Sequence, residues 1–316
     1  MRAHRSKRLG MHIGTFVWLF LFAALIGFFV WQVFLRTEAS FRRTVVFAGS
    51  PVVVWSCASD NSGCEVVTIP SSYVVDAVHG YGRYSLDALW RLGFIDKRGG
   101  EILADSVADL LGLSHAWFMG SNDPSLPEVA SGVTLGKKII SLSSLFPFIL
   151  HRDRSDIPTS EFIALAKQIS STPFDGITSV DLSEKQVTES QALPDGTVQN
   201  VFSTDQVDRA LKGMFEDTAI RKEALTVGVY NTTETPDLGT RAARLLTTSG
   251  ILVVSVGNDE QELAHCVVSG SSTALASHTA RVLEWILGCH GSVMTGVQSS
   301  DLVVRVGTDF AARYAP

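Results

Sequence analysis

The stretch from Cys64 to Trp90, CEVVTIPSSYVVDAVHGYGRYSLDALW, has the pattern of a strand whose end carries the active-site side chains of an enzyme. An apolar run leads into Pro70, then a polar loop, and then a glycine-rich turn that carries Arg83. At the end of the strand stand Ser71 and Ser72, which are both neutral. Hydroxyl groups can hydrogen-bond a phosphate, but they neutralise none of its charge and are poor ligands for magnesium.

A second group of charges precedes a predicted helix, where HRDRSDIPTSEFIALAKQ holds Arg152, Arg154 and Asp156. Together with Arg83 and Arg91, these residues are the charged candidates for a catalytic site. Guanidinium groups bind phosphate oxygens in pairs, and a carboxylate can relay a proton. Charged residues ahead of a helix are also typical of a solvated loop, and both interpretations stay open at this point.

The remaining candidates have simpler explanations. His79, His115 and His151 are far apart in the sequence, and an isolated histidine is usually a surface or hydrogen-bonded residue. Ser71 and Ser72 lack a G-x-S-x-G elbow, so a serine nucleophile is not indicated. Without a C-x-x-C motif or a histidine at a ligand spacing, we predict neither a metal site nor a cofactor.

Residues 11–35 contain an uncharged apolar run, IGTFVWLFLFAALIGFFVW, that as a helix is long enough to cross a hydrocarbon layer of about 30 Å. A soluble core helix would show a polar face, and a signal peptide would have a shorter apolar region with a cleavage site. Four basic residues precede the run and three follow it. We therefore expect an uncleaved signal anchor in the cell membrane, with residues 1–10 as a cytoplasmic basic tail and the bulk of the chain outside.

The charge balance argues against nucleic acid as a partner. The net charge is −6 although the N-terminal tail is basic, so the exported portion is more acidic than the whole chain. An acidic surface repels phosphate backbones, whereas the basic tail suits anionic lipid of the inner leaflet.

Four cysteines fall into two pairs, Cys57 with Cys64 and Cys266 with Cys289. A turn-forming ASDNSG separates the first two, so their thiols can approach each other. Export would place both pairs in an oxidising compartment, and we therefore predict two disulfides. Four buried free thiols are the alternative.

Residues 40–182 alternate short β-like runs with helical patterns, which predicts an α/β sandwich. The segment ILADSVADLLGL has one apolar helical stripe that ends at Gly112, and Trp90 is expected in the core. The segment TSEFIALAKQIS repeats the helical pattern, with Thr159 or Ser160 as the expected cap after a proline.

Two further regions complete the predicted α/β fold. Residues 183–224 read as a polar connector with one amphipathic helix, TDQVDRALKGMFED. Residues 225–311 predict a small second α/β module, in which LTVGVYN, ILVVSVGN, AHCVVSG and DLVVRVGTDF are strands and SHTARVLEWILG is a helix.

This second module resembles the LytR C-terminal domain. The shared features are a strand that ends in a turn at Asn231, a helix that opens near Gly239, the run LLTTSGILVVSVGN, and a last strand whose Gly-x-Asp-Phe ending is completed by Phe310. The resemblance spans essentially the whole module and follows the order of its elements.

The LytR C-terminal domain commonly follows a LytR-CpsA-Psr (LCP) domain, and the stretch VVTIPSSYVVDAVHGYGRYSLDALWRLG is similar to that family's strand, Ile-Pro-Arg-Asp edge and glycine-rich turn. The resemblance implies a single-pass, extracytoplasmic phosphotransferase. Such enzymes move a glycopolymer from a polyprenyl-pyrophosphate carrier to the cell wall, with arginines on the pyrophosphate and aspartates on magnesium.

The sequence departs from the family where the chemistry needs charge. Ser71 and Ser72 replace the Arg and Asp of the family edge, and the preceding AGSPVVVWSCASDNSGC contains no arginine. The family's Lys-x-Asn turn reads Arg83-Tyr84-Ser85. We therefore predict a degenerate LCP-like domain.

Three functions follow from this interpretation. The first is a non-catalytic binding or assembly factor in glycopolymer attachment, with membrane lipid and either a polyprenyl-phosphate-linked glycan or envelope proteins as partners. The second is an active phosphotransferase that uses the arginines named above, Asp156 and Mg²⁺. The third is a structural adaptor that binds only proteins.

Overall fold

The computed structural model describes residues 17–22, 24–25, 27–28, 41–59, 63–121, 127–128, 132–141, 155–192, 196–294 and 299–314. The described positions between 17 and 28 are helical, with exposed large apolar side chains. Within these described ranges, no helix has the length and apolar character that a membrane crossing requires. Most of the predicted anchor lies outside the described residues, as do Arg152, Arg154 and His151.

The first domain is built on a five-stranded sheet. Its strands are β1 (Arg42–Phe47), β2 (Val52–Ala58), β3 (Cys64–Ile69), β6 (Trp117–Met119) and β7 (Ile177–Asp181), in the spatial order β6-β1-β2-β3-β7. The three central strands pair antiparallel, and the two outer strands pair parallel to their neighbours. Every residue of β2 is buried, which explains why its sequence is apolar except for Ser56.

Helices cover both faces of this sheet. Helices α1 (Leu86–Ile95) and α2 (Glu101–Leu111) lie on one face, and helices α3 (Gly132–Ile139) and α4 (Thr159–Ser171) lie on the other. Trp90 is fully buried, which confirms its predicted place in the core. A Cβ at Gly120 would lie 2.3 Å from the Trp90 ring, so the packing around this indole requires glycine.

The helix ends agree with the sequence only in part. Helix α2 ends at Gly112, which has a φ of 66° in the left-handed region, as predicted. Helix α4 has Pro158 as its N-cap and no side-chain cap, so the expectation that Thr159 or Ser160 caps it was wrong. Both residues already lie inside the first turn, where their hydroxyls are not placed to replace the missing cap.

A second, four-stranded sheet joins distant parts of the chain. It contains β4 (Val74–Ala77), β5 (Gly82–Ser85), β8 (Thr188–Ala192) and β9 (Val198–Phe202), in the order β5-β4-β9-β8. Two of these strands come from the predicted connector. The amphipathic helix predicted after them, α5 (Thr204–Ala210), ends earlier than expected, although Val207, Leu211 and Phe215 are buried in the core of the first domain.

The C-terminal module has one mixed sheet. Its strands are β10 (Thr226–Asn231), β11 (Leu252–Asn258), β12 (Val267–Gly270), β13 (His290–Val293) and β14 (Leu302–Val306), in the order β11-β10-β14-β12-β13. Its helices are α6 (Thr218–Glu223), α7 (Leu238–Thr248), α8 (Ser272–Leu275), α9 (His278–Leu287) and α10 (Thr308–Ala311). The four predicted strands are all present, and only β13 was missed. The mixed α/β class is therefore confirmed, with three sheets among the described residues.

Arg244 on α7 joins the two domains. Its guanidinium donates to both carboxylate oxygens of Asp208, at 2.8 and 2.7 Å, and to the carbonyl oxygens of Leu110 (2.6 Å) and Asp109 at the end of α2. A cation there satisfies carbonyls that a helix end leaves without partners and complements the negative end of the helix dipole. Arg244 thereby fixes the C-terminal module against α2.

Candidate functional site

The Pro70 pocket is the cavity at the carboxyl end of β3. It has a volume of about 300 Å³ and is lined by Ser50, Pro51, Thr68, Pro70, Ser71, Ser72, Asp181 and Ser183. The hydroxyls of Ser50 and Ser71 lie 2.9 Å apart in a mutual hydrogen bond. The first turn of α1 closes this edge, because the amide of Asp87 donates to the carbonyl of Ser71 at 3.0 Å.

The charge of the Pro70 pocket is negative. Asp181 is the charged residue among its described lining residues, and its carboxylate accepts a hydrogen bond from the Ser183 amide at 2.8 Å. Among the described lining residues, a pyrophosphate in this position would meet hydroxyls and a carboxylate and no guanidinium group. Unmatched charge in a partly dehydrated cleft is costly, so the lining favours a neutral ligand over an anionic one.

The residues of the pocket do not fit the magnesium ion that the LCP resemblance implies. Magnesium between a protein and a pyrophosphate is normally held by one or two carboxylates with phosphate oxygens. The described lining offers the Asp181 carboxylate, which already accepts a hydrogen bond from the Ser183 amide, and otherwise hydroxyls, which are weak magnesium ligands. Nowhere in the described part of the chain do three or more His, Cys, Asp or Glu side chains form a group that could hold a metal ion.

Arg83 and Arg91 lie outside the lining of the Pro70 pocket. Arg83 is on β5, directly opposite Asp76 on β4, and donates to that carboxylate at 2.8 Å and to Gln191 at 3.1 Å. Arg91 pairs with Asp87 one turn earlier on α1, at 2.8 Å, and its side chain is 57% exposed. The structure therefore places both cations in surface ion pairs and does not bring them together.

Asp156 belongs to the edge of the first sheet. Its carboxylate accepts a hydrogen bond from the Phe118 amide of β6 at 2.7 Å, while the neighbouring Ser155 hydroxyl donates to the Phe118 carbonyl at 2.7 Å. Although Asp156 also reaches solvent, its partial burial raises its pKa to about 6, against the lowering effect of the Phe118 amide. These contacts extend the edge strand, and Asp156 does not line the Pro70 pocket.

Both predicted disulfides are present. Cys57 and Cys64 are bonded across the antiparallel pair β2–β3, and Cys266 is bonded to Cys289, which joins the start of β12 to the end of α9. None of the described cysteines is free. The pairing prediction is confirmed, and each domain carries one covalent link.

A larger cavity, the interdomain cleft, lies between α2 and the end of the C-terminal module, with a volume of about 430 Å³. The first domain contributes polar side chains from the β4–β5 turn, from α2 and from the loop after α2, and the module contributes aromatic and basic ones. The lining residues with polar or aromatic side chains include His79, Asp105, Asp109, His115, Trp285, Arg313 and Tyr314.

Four ionisable groups of the cleft, Asp109, His115, Arg313 and Tyr314, have pKa values shifted toward their neutral forms. Burial raises the pKa of Tyr314 to about 12 and lowers the pKa of His115, although His115 also reaches solvent. Burial also raises the pKa of Asp109, opposed by the nearby Arg241 and Arg244. At neutral pH the phenol is therefore a hydrogen-bond donor and the His115 imidazole both a donor and an acceptor.

Sequence reasoning treated the histidines of this cleft as isolated residues. His79 lies 3.2 Å from Asp105, although 26 positions separate them in the chain. The only available signal was the spacing of Asp105 and Asp109, which puts two carboxylates on one face of α2. The aromatic wall at Trp285 and Tyr314 had no local signature, because it depends on how the second domain docks.

The comparisons with known proteins bear mainly on the C-terminal module. Residues 224–310 match the family model LytR_C, described as "LytR cell envelope-related transcriptional attenuator". None of the curated proteins matches the chain at a significant level.

Several solved structures resemble the chain loosely. The Bacillus subtilis transcriptional regulator yvhJ has a TM-score of 0.39 at 12% identity, over 55% of this chain and 96% of that one. B. subtilis TagV has a TM-score of 0.38 at 11% identity, over 56% and 96%. The LytR-CPS2A-psr family protein YwtF (TagT), with bound octaprenyl pyrophosphate lipid, has a TM-score of 0.36 at 10% identity, over 55% and 89%. Superpositions with TM-scores this low establish no shared activity. The family-model match shows that residues 224–310 of this chain carry a LytR_C domain, as the sequence resemblance predicted.

Proposed function

We propose that this protein is a membrane-anchored, extracytoplasmic envelope protein, in which a degenerate LCP-like domain and a LytR_C domain act as a non-catalytic binding or assembly factor for cell-wall glycopolymers. The LytR_C match supports an envelope role, and the apolar segment at residues 11–35 supports a single-pass anchor with a cytoplasmic N-terminus. The two disulfides agree with an oxidising compartment.

The observation that carries the non-catalytic part is the lining of the Pro70 pocket. Transfer from a pyrophosphate carrier develops negative charge on the leaving group, and guanidinium groups with a metal ion normally stabilise it. Here the described lining has hydroxyls and Asp181. Loss of one well-placed electrostatic stabiliser costs about 3 kcal/mol in the transition state, and several are replaced together at this edge.

The test is a transfer assay with the full-length protein in detergent. The purified chain is mixed with a polyprenyl-pyrophosphate-linked oligosaccharide, Mg²⁺ and peptidoglycan, and labelled glycan on the peptidoglycan is counted. We expect no transfer above a heat-denatured sample. Transfer that is lost on Arg83→Ala, or on the double change Arg152→Ala with Arg154→Ala, would show that the domain is an enzyme.

The membrane topology of the chain is tested by a separate experiment. Protease added to intact spheroplasts should digest the chain beyond about residue 40, because an anchor with a more basic leading flank keeps its N-terminus in the cytoplasm. Full protection of the chain would contradict the proposed location.

A further inference from the structure

We propose that the interdomain cleft is a binding site for a neutral oligosaccharide, with the indole of Trp285 as a platform for one pyranose ring and the His79–Asp105 pair as its hydrogen-bonding partner. The cleft and the Pro70 pocket have no lining residue in common. Saccharide binding in the cleft therefore does not depend on whether the Pro70 pocket is catalytic.

The walls of the cleft are held in place before any ligand arrives. One wall is α2, whose end is tied to α7 by Arg244, and Gly112 beyond it lies so close to Thr248 that a Cβ would come within 2.6 Å of the Thr248 hydroxyl. On the other wall, the Arg313 guanidinium donates to the Ile286 carbonyl at 2.8 Å and fixes the chain end beside α9. A cavity of about 430 Å³ with fixed walls lies within the usual size range of small-molecule sites.

The aromatic side of the cleft has an unusually exposed indole. Trp285 is 38% exposed, although its edge packs against Phe41 with a distance of 6.0 Å between ring centroids. An exposed indole on a cavity wall keeps one amphipathic surface available for a ligand. The electron-rich face of such a ring attracts the weakly positive C–H groups on the flat side of a pyranose.

The polar side of the cleft matches hydroxyl groups. Asp105 and Asp109 accept hydrogen bonds, His79 lies 3.2 Å from Asp105, and Tyr314 and His115 carry neutral groups at ordinary pH. A sugar hydroxyl both donates and accepts, so a carboxylate next to an imidazole can bind two of them at once. Such a set orients a polyol without requiring it to carry charge.

Other ligand classes fit less well. Two carboxylates line one wall against the single guanidinium of Arg313, which already donates to the Ile286 carbonyl, so the described lining disfavours phosphates and other anions. An apolar lipid chain would displace water from the polar atoms of this wall that have no protein partner, at a cost for each unsatisfied group. Polar hydroxyls on one side and a flat C–H face on the other satisfy both walls, which singles out a neutral saccharide.

The experiment measures binding of the full-length protein in detergent by isothermal titration calorimetry. The probes are cellotetraose, chitotetraose, maltotetraose and mannotetraose, with inorganic pyrophosphate as an anionic comparison. We expect at least one tetrasaccharide to bind, and both Trp285→Ala and Asp105→Asn to weaken it about tenfold or more. The matched controls are Phe174→Ala, an exposed aromatic residue outside the cleft, and Asp175→Asn, an exposed carboxylate next to it; neither should change the affinity.

Thermal unfolding of each variant separates loss of binding from loss of fold, and Asp105→Asn decides the outcome if Trp285→Ala unfolds. The proposal is overturned if no tetrasaccharide binds at millimolar concentration, or if binding is unchanged in a folded cleft variant. It is also overturned if pyrophosphate binds more tightly than the sugars and is lost in the same variants, since the cleft would then be an anion site.

Discussion

The Pro70 pocket and the interdomain cleft differ in where the chain places its charged side chains. At the Pro70 pocket, the end of β3 presents serines, and the pocket contains the carboxylate of Asp181. Around the cleft, Asp109, Arg241 and Arg244 form ion pairs or helix-end contacts between the two domains. The charges near the domain boundary therefore hold the two domains together, while the described lining at the edge with the sequence pattern of an active site has hydroxyls and one carboxylate.

Among the side-chain contacts, the largest expected effect comes from removing the link between the domains. Arg244→Ala should lower the free energy of unfolding by about 3 kcal/mol, because Asp208 and two carbonyls at the end of α2 lose a charged donor. Urea unfolding followed by fluorescence measures the change. Arg91→Ala removes an exposed ion pair on one helix and should change the stability by less than about 0.5 kcal/mol. Equal effects of the two substitutions would show that Arg244 has no special role at the domain boundary.

The disulfides test whether the two domains are stabilised alike. The bond Cys266–Cys289 closes a loop with a sequence separation of 23, and Cys57–Cys64 closes one with a separation of 7. In the chain-entropy model, replacing Cys266 and Cys289 by serine should lower the free energy of unfolding by about 3.5 kcal/mol. Replacing Cys57 and Cys64 should lower it by about 2.5 kcal/mol. Calorimetric unfolding of the two double variants gives the order. A larger loss at Cys57–Cys64 would mean that sheet packing, and not loop closure, dominates.

A substitution at the Pro70 pocket tests the electrostatic side of the comparison directly. Ser71→Arg returns the cation that the LCP resemblance expects at the end of β3, and it should raise the affinity for inorganic pyrophosphate about tenfold. The side chain at this position is in the pocket lining next to Ser72 and has room to extend toward solvent. Ser71→Gln is the matched control of similar length without charge. An equal gain with glutamine would show that the pocket already accepts anions through hydrogen bonds alone.

The smallest expected effect is the pH dependence contributed by Asp156. Its pKa is raised to about 6 in the folded protein, so the folded state holds a proton that the unfolded chain releases at lower pH. Stability should therefore fall as the pH rises from about 4 to about 6, by less than about 1 kcal/mol because solvent screens the partly exposed group.

The variant Asp156→Asn should remove this slope, since an amide oxygen still accepts the hydrogen bond from Phe118 and does not ionise. Chemical denaturation at several pH values between 4 and 7 measures it. Asp175→Asn, an exposed carboxylate, is the control. A slope that persists in Asp156→Asn would assign it to another group.

Local sequence patterns predicted the four strands β1, β2, β3 and β6 and four strands of the C-terminal module, but none of the strands of the sheet β5-β4-β9-β8. The apolar run of β2, the helical stripe of α2 with its end at Gly112, and the cysteine pairs depend on neighbours in the chain, and all are found in the structure. The replacement of the family's Arg and Asp by serines at the end of β3 was also visible in the sequence, because the Ile-Pro edge is a local motif. Its neutral chemistry follows from the residue types alone.

The sequence by itself determined the α/β class, the disulfides and the LytR_C module, since each rests on residues close in the chain or on a continuous pattern. The tertiary structure alone decided which charges meet. Arg83 lies in an ion pair with Asp76 because β4 and β5 pair in that register. His79 reaches Asp105 because the β4–β5 turn packs beside α2 within the first domain, and Tyr314 lines the same cleft because the C-terminal module docks there. Contacts over such separations depend on packing of whole domains, and no local periodicity in the sequence records them.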